Sequence, residues 1–456
     1  MKELEYPFDA AYIIKKRKSL KKALLADGTS RIKKKIAVFG GSTTSDIVKT
    51  LELFLLDAGI EPEFYESEYA QYFQDAMFPD ETLLSFKPDI VFIHTTNRNV
   101  TDWPEMTDTT EQIDEKLHTE INRFTAMWKS IAEKFHCPII QNNFEMPLYR
   151  LLGSRDAWDI HGRTNFLTRL NEAFYAYARE NESFYIHDLN FVSADYGLKE
   201  WSNPLFWNMY KYAMCFEAIP SFAFSVSHII KSIFGKNKKA LALDLDNTLW
   251  GGVVGDDGVD GIEIGQETGV SQSYYEFQTY VKQLKSLGIV LTVCSKNDHE
   301  NAIAGLNHPE GALRPDDFVI IKANWENKDR NIAETAAELN ILPDSIVFAD
   351  DNPAEREIVR TQIKGAAVPD MDGVENYITT IDRSGFFEVT TFSEDDLKRN
   401  EMYKKNALRA AEMASFGDYN DYLKSLEMHA VIDDFIPVYL ARITQLTNKS
   451  NQFNVT

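Results

Sequence analysis

The stretch ALDLDNTLWGG, Ala242–Gly252, places two aspartates two residues apart at the end of an apolar run. An unpaired carboxylate in a dry interior costs several kcal/mol, so a buried strand gains nothing from such residues. Side chains at positions i and i+2 of a strand point the same way, and Asp244 and Asp246 would therefore share one side at the strand end. The pattern predicts a functional site immediately after this strand.

The composition predicts a folded protein of two or three domains. The chain has 456 residues, 44% of them hydrophobic, and a net charge of −22. Nucleic acid and anionic membranes both require a basic face, which so acidic a chain does not favour. The three cysteines form no CxxC pair, no apolar stretch approaches the roughly 18 residues that span a bilayer, and the N-terminus lacks the core of a signal peptide. We expect a cytoplasmic protein with no nucleic-acid or membrane partner.

Short β-rich runs alternate with helical patterns twice along the chain. This alternation predicts an α/β fold with two doubly wound parallel-sheet domains. The predicted strands are Lys35–Gly40, Glu61–Ser67, Pro88–Thr96, Cys137–Asn143 and Ser183–Leu189, then Lys239–Asp246, Gly288–Lys296, Asp316–Asn324, Asp344–Asp351 and Gly365–Asp370. Helices are predicted between them, including Thr110–Phe135 and Tyr274–Leu287. We predict one domain at 1–234 with an N-terminal helix, a second at 235–385, and a helical extension and tail at 386–456.

Polar residues end the strands of the second domain, and these ends would meet at one edge of the sheet. The residues at the strand ends are Asp244 and Asp246, Ser295, and Asp350 and Asp351. Lys328, at the start of a helix pattern, is preferred over Lys322, which lies on the third strand. Carboxylates, a hydroxyl and a lysine around one crevice suit Mg²⁺ together with a phosphate group.

In such a crevice Asp244 can attack phosphorus, because an aspartyl nucleophile divides one difficult displacement into two easier ones. Asp246 would protonate the leaving alkoxide and later deprotonate the attacking water. Ser295 would hydrogen-bond a phosphoryl oxygen, and Lys328 would stabilise the charge of the phosphoryl group. The carboxylates expected to ligate the metal are Asp244, Asp246 and Asp350.

Each of these residues also has a structural interpretation. The first aspartate pair could cap a turn, Asp350 and Asp351 could cap the following helix, and Ser295 could be a helix N-cap. In the chemical interpretation, Asp351 ligates the metal through water or orients Lys328. Cys294 is expected to be a packed strand residue and not a nucleophile.

Four segments resemble, in order and spacing, the four motifs of the haloacid dehalogenase superfamily, and they are closest to its FkbH-like branch. They are DLDNTLWGG, VCSKND, NWENKDRN and VFADDNPAER, and GGVVGDDGVDGIEIG and QLTNKSNQFN add to the FkbH-like likeness. The resemblance implies a Rossmann-like phosphatase domain without a large cap, with Asp244, Asp246, Ser295 and Lys328 as catalytic residues. Thr248, Asn297 and Asp351 would be supporting residues.

The intervals that follow Asp246 and Ser295 are too short for a lid domain. In this superfamily an uncapped site tends to accept bulky phosphates, and the pocket is predicted to be open or walled only by the first domain. The expected function is hydrolysis of a phosphomonoester through an aspartyl-phosphate. The expected substrates are phosphorylated small molecules, carbohydrates or carrier-bound esters.

Two alternatives remain open at this point. FkbH-like proteins take a phosphorylated three-carbon acid, load glyceryl onto an acyl carrier protein and release phosphate, so this chain could do the same. Such proteins often continue into an acyltransferase-like module. Here either that module is missing, which weakens the case for transfer, or the chain is a fragment. The other alternative is a non-enzymatic scaffold that binds a phosphorylated partner, although binding alone does not require a proton donor at Asp246.

The first domain contains a weaker indication of a catalytic site. IAVFGGSTTSDI, Ile36–Ile47, resembles the opening motif of SGNH-type esterases, with Ser42 as the nucleophile and Asn97 as an oxyanion donor. The Asp and His of that family have no clear counterpart, and His228 lies deep in a helix pattern. A serine without a base is a weak nucleophile, so Ser42 is only a candidate second site. The alternative is a flavodoxin-like scaffold whose Gly-Gly-Ser turn caps a helix at Thr44–Ser45.

Overall fold

The computed structural model describes residues 1–405, except the side chains of 395 and 396, together with His429, Ile432, Asp434 and Ile443. The chain divides into two compact units, Met1–Asn400 and Glu401–Thr456. Both sheets lie in the first unit, which also contains the predicted boundaries near residues 235 and 385. Most of the predicted helical extension at 386–456 lies outside the described residues.

The first sheet has five parallel strands in the order β2-β1-β3-β4-β5. This order is that of flavodoxin-like doubly wound proteins, in agreement with the predicted fold class. The strands are β1 Ile32–Gly40, β2 Ile60–Glu66, β3 Ile90–His94, β4 Ile139–Asn142 and β5 Phe184–His187.

The second sheet has four parallel strands in the order β8-β7-β6-β9. They are β6 Ala240–Leu243, β7 Val290–Ser295, β8 Ile320–Ala323 and β9 Ile346–Ala349. The fifth strand predicted at Gly365–Asp370 is wrong, because that segment contributes only an isolated bridge between Ala367 and Val347. Glycine and alanine have little side chain to pack on a sheet, and Pro369 lacks the N–H that would extend the pairing.

Helices connect the strands and cover the sheets. In the described part of the chain, no helix is long and apolar enough to cross a membrane. The predicted helix at Thr110–Phe135 is confirmed as α5, and the one predicted at Tyr274–Leu287 is longer at its start. The helices are α1 Ala10–Ala26, α2 Ser45–Asp57, α3 Tyr72–Met77, α4 Glu81–Phe86, α5 Thr110–Phe135, α6 Arg163–Glu180, α7 Leu189–Tyr196, α8 Leu198–Trp201, α9 Pro204–Tyr210, α10 Ile219–Ile233, α11 Val254–Asp257, α12 Gly269–Ser286, α13 His299–Leu306, α14 Lys328–Glu338, α15 Pro353–Gln362, α16 Tyr377–Arg383 and α17 Glu394–Leu397.

The strand β1 shows why the first sheet forms from apolar runs that do not alternate with polar residues. Ile36 and Val38 lie in the core formed with α2 and α10, whereas Ala37 and Phe39 lie in the core formed with α5 and α6. All four side chains are fully buried. Successive side chains of a strand point to opposite faces, so a sheet covered on both faces requires apolar residues at every position.

Residues 1–234, which carry the first sheet and are called the first region below, contact the second sheet at the amino edge of that sheet. The chain passes from α10 into β6, and Oγ of Ser232 on α10 donates to the carbonyl of Glu388 at 3.0 Å. The N–H of Lys238, just before β6, donates to the carbonyl of Phe386 at 3.0 Å, which places this segment beside the start of β6. Nearby in sequence, Arg383 at the end of α16 forms an ion pair of 2.8 Å with Asp195 of the first region. The predicted site residues lie at the opposite, carboxyl edge. These contacts lie away from the site, so they give no support to a wall formed by the first domain, which stays a prediction.

Candidate active site

Three carboxylates meet where two neighbouring strands of the second sheet end. β6 ends one residue before Asp244, and β9 ends one residue before Asp350. The N–H of Asp244 donates to the carbonyl of Ala349 at 3.0 Å, so the pairing of the strands continues up to the aspartates. One oxygen from each of Asp244, Asp350 and Asp351 lies within 4.8 Å of the other two. Asp244 and Asp350 are buried, and Asp351 is half-buried.

Lys328 lies between two of these carboxylates. Its Nζ is 2.8 Å from Oδ2 of Asp244 and 2.5 Å from Oδ2 of Asp350, and the lysine side chain is buried. Lys328 is the first residue of α14, so the connection between β8 and α14 delivers it to the site. The rival Lys322 lies on β8 and pairs instead with two glutamates of α14. The structure thus brings Lys328, and not Lys322, to the carboxylates.

Burial and crowding shift the ionisation of these groups. Burial, and after it the neighbouring Asp244, raises the pKa of Asp350 to about 6. Burial acts to lower the pKa of Lys328, but the charges of Asp244 and Asp350 outweigh it and the pKa of the ammonium is raised. Lys328 therefore keeps its proton, and its one positive charge faces several carboxylates.

This excess of carboxylates fits a divalent cation. Oδ1 of Asp244 is buried and has no hydrogen-bond partner among the described residues. A buried, negatively charged oxygen without a donor is costly, and a hard cation held beside it by the neighbouring carboxylates offsets its charge. Asp244, Asp350 and Asp351 have the ligand type and the proximity that Mg²⁺ requires.

Asp246 is not among the carboxylates that meet in this cluster. Its Oδ1 accepts hydrogen bonds from the indole N–H of Trp250 at 2.9 Å and from the N–H of Val254 at 3.0 Å. Its Oδ2 accepts one from the amide of Asn297 at 2.9 Å. Burial raises the pKa of this carboxyl group. Asp246 is therefore an oriented carboxyl group, and the structure does not support its predicted role as a metal ligand through the side chain.

The turn after Asp246 depends on Asn247, which has a left-handed backbone with φ of 57°. Asparagine adopts this conformation more readily than most residues. Its Oδ1 accepts from the N–H of Gly252 at 3.0 Å, and its carbonyl accepts from the hydroxyls of Tyr274 and Tyr377 at 3.3 and 3.1 Å. The turn is thus held from three directions, and it returns the chain across the strand end.

The loops that carry the carboxylates are tied together. Oγ1 of Thr248 accepts from the N–H of Asp351 at 3.1 Å and donates to its Oδ1 at 3.3 Å. Nη1 of Arg356 donates to the carbonyls of Asp350 and Asp351 at 2.9 and 2.8 Å. Of the two roles predicted for Asp351, proximity to the other carboxylates favours metal ligation over the orientation of Lys328. Arg356 closes the fourth motif but is not among the predicted site residues, because a buried arginine has no periodic signature.

The structure also tests whether Ser295, Asp350 and Asp351 are helix caps. Ser295 is the buried last residue of β7, and the N-cap of the following helix α13 is Asp298. The N-cap of α15 is Asn352, and not one of the two aspartates that precede it. Cys294 is buried in β7, and burial raises the pKa of its thiol, as befits a packed strand residue.

In the first region, Ser42 follows the end of β1. Its Oγ is buried and has no hydrogen-bond partner among the described residues, so the structure provides no base for it. The amide of Asn97 donates to two backbone carbonyls after β4, so it is already engaged. His228 lies in α10 and packs against Phe224. The N-cap of α2 is Thr44, which agrees with the scaffold interpretation.

Glu145, a buried carboxyl group three residues after the end of β4, is also absent from the predicted site residues. Oε2 of Glu145 accepts from the N–H of Asn97 at 3.1 Å. Burial raises the pKa of Glu145 to about 8. Its neighbours in sequence give no sign of burial, because the loop after β4 folds inward only in the tertiary structure.

The fold and the site define a two-sheet α/β protein of the phosphatase type. The chain is similar to the solved N-terminal part of the protein BF1531 from Bacteroides fragilis, which contains a phosphatase domain and was complexed with Mg. The two are 31% identical with a TM-score of 0.75, and the match covers 82% of this chain and 99% of that chain. Residues 35–231 match the family described as FkbH, N-terminal domain. No curated protein matches the chain significantly.

The chain therefore belongs to the FkbH-like family of haloacid dehalogenase phosphatases. The sequence motifs had placed the FkbH-like resemblance in the second half, whereas the family match lies in the first half. The resemblance of that first half to SGNH-type esterases stays a prediction.

Proposed function

We propose that the protein is a magnesium-dependent phosphatase that hydrolyses a phosphomonoester through an aspartyl-phosphate on Asp244. The observation that carries this proposal is the unpartnered, buried Oδ1 of Asp244 beside Lys328, Asp350 and Asp351. A nucleophile needs a free lone pair, and Lys328 engages the other oxygen of the same carboxylate at 2.8 Å. The similar protein with a phosphatase domain supports the same class of reaction.

The reaction balances with the residues of this chain. Oδ1 of Asp244 forms a bond to phosphorus while the bond between phosphorus and the ester oxygen breaks. Asp246 gives its proton to the leaving alkoxide. A water molecule then gives a proton to Asp246 and attacks phosphorus, and the bond to Asp244 breaks to release phosphate.

The contacts of Asp246 suit this role. Trp250, Val254 and Asn297 each donate to its carboxylate, so its direction is set before the substrate binds. Its raised pKa favours the protonated form that a general acid needs. Binding a phosphate alone would not call for such a group, and this speaks against a non-enzymatic scaffold.

The remaining residues hold the charge of the phosphoryl group. Lys328 stabilises it as an ammonium that stays protonated, and Ser295 donates its hydroxyl to a phosphoryl oxygen. Asp244, Asp350 and Asp351 would hold Mg²⁺, which when bound offsets the repulsion between these carboxylates and the anionic phosphate.

A second candidate function is favoured by the family match of the first region. In it, the protein would transfer glyceryl from a phosphorylated glycerate to an acyl carrier protein and release phosphate. The carboxyl-edge site would serve the phosphate-release step in either function. The substrate would then be a phosphorylated glycerate, with the acyl carrier protein as the acceptor, and not a carbohydrate phosphate.

The test is a phosphate-release screen over sugar phosphates, phosphoglycerates and phosphorylated carrier proteins, with and without Mg²⁺. We expect release that requires Mg²⁺ and is lost by at least about a thousand-fold in Asp244→Asn, because asparagine matches aspartate in shape but cannot attack phosphorus. Asp246→Asn should also be severe on substrates with poor leaving groups. Activity of Asp244→Asn within ten-fold of the parent would contradict the proposal, and release only in the presence of a carrier protein would favour transfer.

A further inference from the structure

Trp325 is a large, exposed side chain two residues after the end of β8, at the carboxyl edge of the sheet that carries the proposed site. It lies in the connection between β8 and α14, three residues before Lys328, and its side chain is 70% exposed. Single exposed apolar residues are common on protein surfaces, so this exposure alone means little. The position of Trp325 relative to the reacting groups is what distinguishes it.

Two sets of contacts tie the indole to the site. Its Nε1 donates to Oδ1 of Asp298 at 2.9 Å, and Asp298 directly follows Asn297, whose amide holds Asp246 at 2.9 Å. On the other side, the same loop delivers Lys328 to Asp244 at 2.8 Å. The loop that carries Trp325 is thus anchored both to the proposed general acid and to the proposed nucleophile.

The hydrogen bond to Asp298 also determines what the indole can offer to a ligand. Nε1 is the only polar atom of the ring and it is already engaged. The remaining exposed surface is the apolar face of the ring. Such a face binds flat or apolar surfaces and cations, and it does not favour an anionic group.

The charged residues of the two segments that this hydrogen bond joins are largely paired. Lys296 forms an ion pair of 2.6 Å with Glu355, and Arg330 pairs with Glu326 at 3.1 Å. Asp298 is exposed and adds a negative charge beside the ring. A substrate with a second anionic group would meet carboxylates here and cations that already have partners. A neutral group would not incur this repulsion.

We propose that Trp325 determines specificity as a stacking platform for the neutral ring of a phosphorylated carbohydrate. The phosphate occupies the carboxylate and lysine site while the apolar C–H face of the sugar packs on the indole. This inference rests on the proposed function and narrows its substrate class to hexose phosphates over phosphoglycerates. Within the described residues no lid domain is inserted in the loops after β6 and β7, and such a platform supplies binding energy from the part of the substrate that does not react.

The test compares glucose 6-phosphate with acetyl phosphate, which has no ring. Trp325→Ala should raise the ratio of the two KM values, glucose 6-phosphate over acetyl phosphate, by about ten-fold, as expected for losing an apolar contact of this size. Trp325→Phe, which keeps a flat ring, should restore most of the parent ratio. The matched control is Trp158→Ala, because Trp158 is 66% exposed in the first region, and the ratio should stay at the parent value.

A second readout does not depend on turnover. Glucose 6-phosphate should change the tryptophan fluorescence of Asp244→Asn, and that change should disappear when Trp325→Phe is added. A KM ratio in Trp325→Ala equal to that in Trp158→Ala, or a fluorescence change that persists without Trp325, would overturn the inference. Absence of phosphate release from every substrate would overturn the proposed function instead, and the fluorescence measurement would still decide the role of Trp325.

Discussion

Nζ of Lys328 lies 2.5 Å from Oδ2 of Asp350, and both side chains are buried. Lys328 also contacts Asp244 at 2.8 Å, so it is the cation that this carboxylate cluster has within the described part of the chain. Removing one partner of a buried ion pair leaves an uncompensated charge, which costs more than the pair itself contributed.

Lys328→Met should therefore lower both activity and stability. We expect phosphate release to fall by at least about a hundred-fold, because charge stabilisation of the phosphoryl group is lost. The free energy of unfolding without Mg²⁺ should fall by about 3 kcal/mol. Denaturant titration and phosphate release measure the two effects. Lys322→Met is the matched control, and its solvent-facing pairs should cost no more than about 1 kcal/mol. Equal effects of the two variants would contradict the assignment of Lys328.

Removal of the metal should inactivate the enzyme. Excess EDTA should abolish phosphate release, and added Mg²⁺ should restore it. In Asp350→Asn the Mg²⁺ concentration for half-maximal activity should rise by at least about ten-fold, because a hard cation prefers a carboxylate over an amide. Mg²⁺ should also raise the melting temperature of the parent more than that of Asp350→Asn, since binding to the native state stabilises it. Full activity in excess chelator would rule out this site.

Ser42→Ala should leave phosphate release at the parent level. The Oγ of Ser42 is buried and unpartnered among the described residues, and it lies at the edge of the other sheet. Loss of a hydroxyl that makes no hydrogen bond should change the free energy of unfolding by less than about 1 kcal/mol. Hydrolysis of short acyl esters should be absent from the parent. Clear esterase activity that disappears in Ser42→Ala would make the first region a second enzyme.

The buried Glu145 predicts a specific dependence of stability on pH. Its pKa is about 8 in the folded protein against 4.5 for the free side chain. Between these values the folded state binds the extra proton, so the stability contributed by this group is complete below pH 4.5 and is lost as the pH rises towards 8. Glu145→Gln keeps the shape of the protonated acid and does not titrate. The unfolding free energy of this variant relative to the parent should therefore increase with pH over this range, by at most about 1.4 kcal/mol per pH unit.

Chemical denaturation at several pH values between 5 and 8 measures this difference. Glu133→Gln is the control, because Glu133 is exposed on α5. Its difference from the parent should be flat with pH. A flat difference for Glu145→Gln as well would show that Glu145 is ionised in the folded protein.

Much of the fold followed from local pattern. Short apolar runs bounded by turns predicted both sheets and the nine strands that the structure describes. The helix at Thr110–Phe135 was predicted at its observed bounds. The strand predicted at Gly365–Asp370 failed, because an apolar run can also pack beside a sheet with only one bridge. The sequence of such a run does not predict how many hydrogen bonds it forms with a neighbouring strand.

The sequence by itself determined which residue types end each strand of the second sheet, because strand periodicity and strand ends are local properties. It therefore placed Asp244, Ser295 and Asp350 at one edge. It also favoured Lys328 over Lys322 as the lysine of the site, and the structure places Lys328 beside Asp244. The tertiary structure alone decided that Asp246 accepts from other donors while Asp351 joins the cluster. It also decided that the first region contacts the edge opposite the site. These outcomes depend on how loops far apart in sequence fold over the strand ends, and no local spacing encodes the direction in which a loop returns.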